Sequence, residues 1–178
     1  MENAQRIITV SRKLRKTCKG LIICLPVIYG LTWTFFNQLY GMGPLVPLPV
    51  RVDHYLPRLT RFLAFLADMI PVVAIIYGLR KLEGLFGLYE NGLIFTEQHV
   101  RCFRSLGRAL IVWVGCDVVR NSLLSMVLTL DKPPGQRVIT VGLGSADFAA
   151  IFVGIVVLTI SWVMDEGRKI QEEQALIV

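Results

Sequence analysis

The chain has 178 residues, of which 54% are hydrophobic and 18% are charged, and its formal net charge is +6. About a quarter of the residues in an average soluble domain are charged, and the mean hydropathy of this chain is positive, at +0.58. The composition therefore argues against a soluble enzyme, a disordered chain and a nucleic-acid-binding domain.

Four stretches of the sequence contain few charged residues and have the length of a membrane-spanning helix. A hydrocarbon core about 30 Å thick needs about 20 apolar residues per helix. None of the four has the polar stripe that marks a surface helix of a soluble protein. The predicted spans are residues 20–39, 62–79, 109–130 and 146–164. We therefore predict an all-α membrane protein in which residues 1–178 form a single four-helix transmembrane domain.

A basic arm precedes the first predicted span, because residues 1–19 contain six Lys and Arg residues. A basic segment followed by an apolar run is also typical of a secretory signal peptide. Here the apolar run is longer than that of a normal signal, and no cleavage site of small residues follows it. We therefore predict that the first helix is retained and that the glycines and prolines at residues 41–49 end it.

The distribution of Lys and Arg predicts how the chain is oriented in the membrane. Four spans would place the N-terminal arm, the second loop (residues 80–108) and the C-terminal tail on one side, with 13 Lys and Arg, against 5 in the two other loops. The positive-inside rule then predicts that both termini are cytoplasmic. The basic arm lacks aromatic residues, so we expect it to contact the head groups of the lipid bilayer rather than nucleic acid.

Charged residues inside the predicted spans are the main candidates for a functional site, because each costs roughly 2.5–3.5 kcal/mol near the centre of a helix. Asp68 lies in the second span. Asp117, Arg120 and Asn121 lie in the third at spacing i, i+3, i+4, which places them on one helix face. The rise per residue gives Arg120 and Asp68 similar depths, so we predict that Arg120 pairs with Asp68 or with Asp117.

Two interpretations of this intramembrane group are open. A buried network of carboxylates, guanidinium and amide would fix the register of the helices. A polar pocket that faces outward would instead admit a ligand or an ion. Pro71 favours the second interpretation, because it frees a backbone carbonyl in the second span.

The start of the fourth span carries a capping signal and a stripe of small residues. We predict that Ser145 caps the helix and that Asp147 lies in its first turn, where the helix dipole favours an acid. Ala146, Ala150 and Gly154 recur every four residues, a spacing that permits close helix packing. The stripe suits contact with another helix of the same chain or with a second copy in a homo-oligomer.

Helical extensions are predicted on the cytoplasmic side. Thr96 is predicted to cap a helix that has Glu97 in its first turn and runs unbroken into the third span. The basic stripe of that helix consists of Arg101, Arg104 and Arg108. The tail after the fourth span is rich in helix formers and contains Glu172 and Glu173. Either the tail docks on the basic stripe to form a cytoplasmic interaction surface, or the two charged faces remain solvated.

Two motifs resemble a bacterial membrane family. GLIFTEQHV (residues 92–100) with RSLGRAL (residues 104–110), and the ending VMDEGRKIQEEQAL (residues 163–176), are similar to the family called domain of unknown function 2975. This chain ends in Leu-Ile-Val, where members tend to end in Leu-Thr-Val. The resemblance implies a four-span inner-membrane protein. It also implies a cytoplasmic partner such as a small helix-turn-helix regulator, with which members are often paired, but no catalytic or ligand residues.

The sequence lacks the patterns of common catalytic and cofactor sites. Neither of its two histidines, His54 and His99, belongs to a haem-binding pair or to a zinc-binding HExxH helix. No phosphate-binding loop or nucleophile elbow occurs, and the four cysteines include no Cys-x-x-Cys motif. We therefore predict no enzyme activity, no metal and no cofactor.

These observations lead to two functional hypotheses. The first is a non-enzymatic regulatory or interaction module that presents its cytoplasmic helices to a protein partner. The second is a small transporter or channel subunit that uses the intramembrane Asp/Arg network, and its four spans would then require a homo-oligomer.

Overall fold

The computed structural model describes residues 2–39, 48–50, 52, 55–91, 96–130, 132–133 and 135–176. Its helices are α1 (Glu2–Thr34), α2 (Phe36–Leu39), α3 (Arg58–Glu90), α4 (Glu97–Leu128) and α5 (Ser145–Leu176). All except the short α2 are long and apolar enough to cross a membrane. The described residues contain no strand. The prediction of an all-α membrane protein with four transmembrane helices is therefore confirmed.

The long helices pack in chain order, α1 against α3, α3 against α4 and α4 against α5. Neighbouring helices run antiparallel, as contacts near their ends show. An aromatic contact joins the end of α3 to the start of α4, and ion pairs join the other neighbours. Arg12 near the start of α1 pairs with Glu90 at the end of α3, and Arg104 in α4 pairs with Asp165 in α5. The start of α1 and the end of α5 therefore lie at the same end of the molecule. We call this end the terminal end and the opposite end the distal end.

The helices are longer than the predicted spans. α3, α4 and α5 have 33, 32 and 32 residues, so each is about 48 Å long, against a hydrocarbon core of about 30 Å. The predicted spans are the central parts of these helices. At the terminal end α4 runs unbroken from Glu97 into the third span and α5 continues through the tail, as predicted.

The first span ends earlier than predicted. α1 ends at Thr34 and the chain bends at Phe35 before α2, so residues 20–39 do not form one helix. Beside this bend the side chain of Asn37 makes two hydrogen bonds to the backbone of Leu56. Its Nδ2 donates to the carbonyl oxygen and its Oδ1 accepts from the N–H, each at 3.1 Å. The pattern of apolar residues does not reveal this contact, because its two partners are separated by 19 positions.

The start of α5 also differs from the prediction. The helix begins at Ser145, so Gly144, and not Ser145, occupies the N-cap position. The N–H of Gly144 donates to Asp147 Oδ2 at 2.7 Å. Asp147 lies in the first turn, as predicted, and its carboxylate satisfies a backbone group at the helix start.

The hydrophobic core formed by the described residues lies at the distal end, where α1, α3 and α4 converge. It consists of Trp33, Phe36, Val52, Leu56, Ala64, Leu124 and Leu128. The rings of Trp33 and Phe36 stack with their centroids 5.1 Å apart. Many large apolar side chains elsewhere on the helices are exposed at the surface of the chain, including Ile23, Phe152 and Val163. Such side chains suit contact with lipid tails.

Helices α4 and α5 cross closely at two glycines. A Cβ atom on Gly107 would lie 2.7 Å from Leu158 Cγ and 2.9 Å from the carbonyl oxygen of Gly154. A Cβ atom on Gly154 would lie 3.2 Å from the carbonyl oxygen of Gly107. At Gly154, therefore, the predicted stripe of small residues contacts a helix of the same chain, and the two backbones approach as closely as glycine permits.

Candidate functional site

The carboxylate of Asp68 is enclosed by side chains from two other helices. Asp68 lies on α3 and has 0% relative exposure. Its Oδ1 accepts a hydrogen bond from Arg120 Nε of α4 at 2.6 Å, and its Oδ2 accepts one from Trp33 Nε1 of α1 at 2.6 Å. Both oxygens therefore have a donor, one of them charged, as a buried carboxylate requires.

The other predicted members of the network lie beside this pair. Arg120 donates from Nη1 to Asn121 Oδ1 at 3.2 Å, and Asn121 Nδ2 donates to Asp117 Oδ2 at 2.8 Å. Asp117 Oδ1 lies 3.7 Å from Arg120 Nη1. The structure therefore brings together all four intramembrane polar residues proposed from the sequence. The Arg120 side chain is 8% exposed and the Asp117 side chain 20% exposed, so burial increases from Asp117 towards Asp68.

Trp33 is a member of this site that the pattern of polar residues in the sequence does not indicate. Its side chain faces the core, with 3% of the residue exposed, and its indole N–H binds Asp68. Tryptophan near the end of a span commonly lies at the lipid interface, which gives no reason to pair it with an acid. The property that points to this contact is that a buried indole N–H needs a hydrogen-bond acceptor.

Polar residues near the distal end of α4 bind the segment that follows it. Ser125 Oγ accepts the N–H of Thr140 at 2.9 Å. The hydroxyl of Thr129 donates to the carbonyl oxygen of Ser125 at 2.8 Å, and the N–H of Val138 lies 3.4 Å from that hydroxyl. These contacts hold the segment against α4 and satisfy hydroxyls that have almost no exposed surface.

The predicted cytoplasmic interaction surface is only partly assembled within the chain. Arg104 contacts α5, with its Nη2 atom 3.4 Å from Asp165 Oδ2. Arg101 pairs with Glu97 of its own helix at 2.6 Å. Arg108 is exposed and has no ion-pair partner among the described residues. The tail therefore contacts the basic stripe through Asp165.

The two tail acids proposed from the sequence do not make this contact. Glu172 pairs with Arg168 of its own helix, and Glu173 is exposed without an ion-pair partner in the described part of the chain. Both acids are therefore on the surface of the extension, and neither contacts the basic stripe of α4.

A second set of ion pairs joins α1 to α3 at the terminal end. Arg12 Nε lies 2.8 Å and Arg15 Nη1 3.2 Å from the carboxylate of Glu90, and Lys19 Nζ lies 3.5 Å from Glu83. Hydrogen bonds from Arg12 and Arg15 lower the pKa of Glu90, which lies beyond the span 62–79. Part of the basic arm, for which the charge distribution predicts a role in topology and lipid contact, thus also binds α3.

The start of α4 holds a buried histidine. His99 has 0% relative exposure, and its Nδ1 lies 2.8 Å from the hydroxyl oxygen of Thr96. Thr96 is the N-cap residue, as predicted, but its side chain contacts this ring and no backbone N–H. Burial lowers the pKa of His99, which lies outside the span 109–130. The other histidine, His54, and residues 92–95 of the GLIFTEQHV motif lie outside the described residues.

The described residues contain no group of three His, Cys, Asp or Glu side chains that could hold a metal ion. The four cysteines in this part of the chain are free thiols.

The length and apolar composition of the helices, with a charged pair enclosed among three of them, define a multi-pass α-helical membrane protein. The chain belongs to the family described as protein of unknown function (DUF2975), whose model matches residues 44–178. This match confirms the family that residues 92–110 and 163–176 resemble. The chain matches no curated protein and no solved structure.

Proposed function

We propose that the protein is a non-enzymatic regulatory or interaction module of the bacterial cytoplasmic membrane, with its terminal end in the cytoplasm. The excess of Lys and Arg in the segments at that end, 13 against 5, supports this orientation. The terminal end then presents helical surfaces to a cytoplasmic protein. The family resemblance implies a helix-turn-helix regulator as one such partner.

The ion pairs that join the helices at the terminal end are the observation that carries this proposal. Arg12 and Glu90 join α1 to α3, and Arg104 and Asp165 join α4 to α5. A surface that is ordered before binding loses less conformational freedom when a partner binds. Arg108 is exposed on this surface without an ion-pair partner among the described residues. Its charge is therefore open to an acidic group of a partner.

The enclosed carboxylate of Asp68 supports an interaction module over a substrate path. An acid on a transport path must contact water or substrate during the cycle. Asp68 has no exposed surface, and each of its oxygens accepts a hydrogen bond from the protein. We therefore assign to this network the role of fixing the register of α1, α3 and α4.

Charge reversal at the terminal end tests the proposed surface. After crosslinking in native membranes, we expect a cytoplasmic protein to copurify with the wild-type chain. The recovery of that protein should fall roughly tenfold with Arg108→Glu, because like charges at an interface oppose association. The matched control is Arg137→Glu, which reverses an exposed arginine at the distal end and should leave recovery unchanged. Equal recovery of the protein with wild type and Arg108→Glu would contradict the proposed surface.

The alternative is a small transporter or channel subunit, and the partial exposure of Asp117 favours it. The Asp117 side chain is 20% exposed beside the buried Arg120, so it could meet an ion entering from the bilayer surface. Such a subunit would form a homo-oligomer, because four spans enclose little space. In liposomes the alternative predicts proton-dependent flux that Asp117→Asn reduces by about an order of magnitude. If the protein is an interaction module, neither the folded wild type nor folded Asp117→Asn should produce flux.

A further inference from the structure

A cavity of about 440 Å³ lies at the distal end between α1 and α3. Its walls combine three aromatic rings with two cationic side chains, namely Trp33, Phe62, Phe65, Arg58 and Arg61. No acidic residue is among the described residues that line it. The cavity is therefore both apolar and positively charged, and it does not include the enclosed acid Asp68.

Arg61 lines this cavity and is held against the end of α1. Its Nη1 donates to the carbonyl oxygen of Thr34 at 2.7 Å, which satisfies a carbonyl at the end of α1 and fixes the guanidinium in place. Its Nε is buried and has no hydrogen-bond partner among the described residues. A buried N–H of a charged group is costly when it is left unpaired. The held guanidinium places a positive charge at the wall of the cavity.

Arg58 adds a second positive charge to the same wall. It is the first residue of α3 and lies one turn before Arg61, so both side chains occupy one face of the helix. Arg58 is exposed and has no ion-pair partner in the described part of the chain. The positive end of the α3 dipole acts in the same direction. Two guanidinium groups in this arrangement select an anion, and their planar donors match the oxygens of a phosphate.

The aromatic residues of the cavity indicate that the ligand also has an apolar part. Phe62 begins the predicted span 62–79 and is 57% exposed. The cavity therefore lies at the level where the hydrocarbon core meets the head groups, the usual position of aromatic belts. A ligand with its phosphate on Arg58 and Arg61 would lay its apolar part against Phe62 and Phe65. We propose that this cavity binds an amphiphile with a phosphate head group, of the kind that an anionic phospholipid provides.

Trp33 connects this ligand site to the buried ion pair. Its ring lines the cavity, and its Nε1 donates to Asp68 at 2.6 Å. A ligand that contacts the ring thus contacts the side chain that holds the carboxylate. The same position makes Trp33 a fluorescent reporter, because the chain contains only two other tryptophans, Trp113 and Trp162.

The test follows Trp33 emission in the 178-residue Trp113→Phe/Trp162→Phe protein in a non-ionic detergent. The probes are dihexanoylphosphatidylglycerol, dihexanoylphosphatidylcholine and inorganic phosphate. We expect saturable binding of the phosphatidylglycerol, at least about tenfold tighter than binding of the zwitterionic lipid, and no saturation with inorganic phosphate over the same range. Inorganic phosphate that binds as tightly as the anionic lipid would overturn the assignment of an amphiphile.

Two arginine variants identify the binding residues. Arg58→Gln and Arg61→Gln should each weaken binding about tenfold, as expected for the loss of one hydrogen bond to a charged group. Arg58 makes no described side-chain contact that the fold needs, and circular dichroism checks that both variants are folded. Arg137→Gln, on the same end of the molecule, should bind as wild type. Unchanged affinity in folded Arg58→Gln and Arg61→Gln, or an equal loss in Arg137→Gln, would overturn the site.

Discussion

Replacement of Arg120 with leucine is expected to lower the free energy of unfolding by about 3–5 kcal/mol. The substitution removes the guanidinium whose Nε lies 2.6 Å from Asp68 Oδ1, and it leaves a carboxylate with no exposed surface and no cation. A loss of this size corresponds to a fall in melting temperature on the order of 10 °C. Circular dichroism of the detergent-purified protein during heating measures it.

The double variant Asp68→Leu/Arg120→Leu distinguishes a buried pair from two independent residues. With neither charge left in the protein interior, we expect it to regain more than half of the lost stability. Asp117→Asn is the control, because its side chain is partly exposed and 3.7 Å from Arg120, and it should cost less than about 1 kcal/mol. If Arg120→Leu melts with the wild type, the network does not hold the helices together and its role is functional.

Replacement of Gly107 with valine is expected to separate α5 from α4 and to cost about 3 kcal/mol. The Cβ atom alone would lie 2.9 Å from the backbone carbonyl oxygen of Gly154, which cannot move without the whole helix. The two γ carbons of valine add to this overlap. A crosslink between cysteines placed at Arg104 and Asp165, which are in contact in the wild type, should form several times more slowly in the valine variant.

Gly115→Val is the matched control for this substitution. Gly115 lies on the same helix, and no atom of another helix lies within 4 Å of a Cβ atom built there. Both variants place the same β-branched residue in α4, so they share the small effect of valine on helix propensity. We expect Gly115→Val to melt within a few degrees of the wild type. A similar loss at both positions would attribute the effect to the helix itself and not to the crossing with α5.

The intramembrane cluster is predictable because it depends on properties that repeat along one chain. Helical spacing places Asp117, Arg120 and Asn121 on one face, and the rise per residue gives Asp68 a similar depth. Trp33 is not predictable in this way, because its acceptor lies on another helix and its hydropathy matches a lipid-facing residue. The early end of α1 is hidden for the same reason, since Asn37 binds the backbone of Leu56 across the loop.

The tail illustrates what sequence periodicity leaves open between helices. Its composition predicts an acidic extension, and i, i+4 spacing predicts the pairs of Arg168 with Glu172 and of Lys169 with Glu173. The structure contains the first pair, whereas Lys169 pairs with Glu166. The acid that contacts the basic stripe is nevertheless Asp165. The closely packed Gly107 and Gly154 set how far α5 is shifted along α4, and this shift brings Asp165 beside Arg104. The sequence pattern of neither helix indicates how far the two helices are shifted along each other.

The packing of the long helices in chain order has a consequence for insertion into the membrane. Each long helix packs on the one inserted just before it, so every hairpin can form without waiting for a distant segment. Asp68 enters before its cation, and until α4 arrives its carboxylate has the indole of Trp33 as a donor. Arg120 then enters beside an acid at the matching depth, so the cost of placing the second charge in the bilayer is reduced by the first.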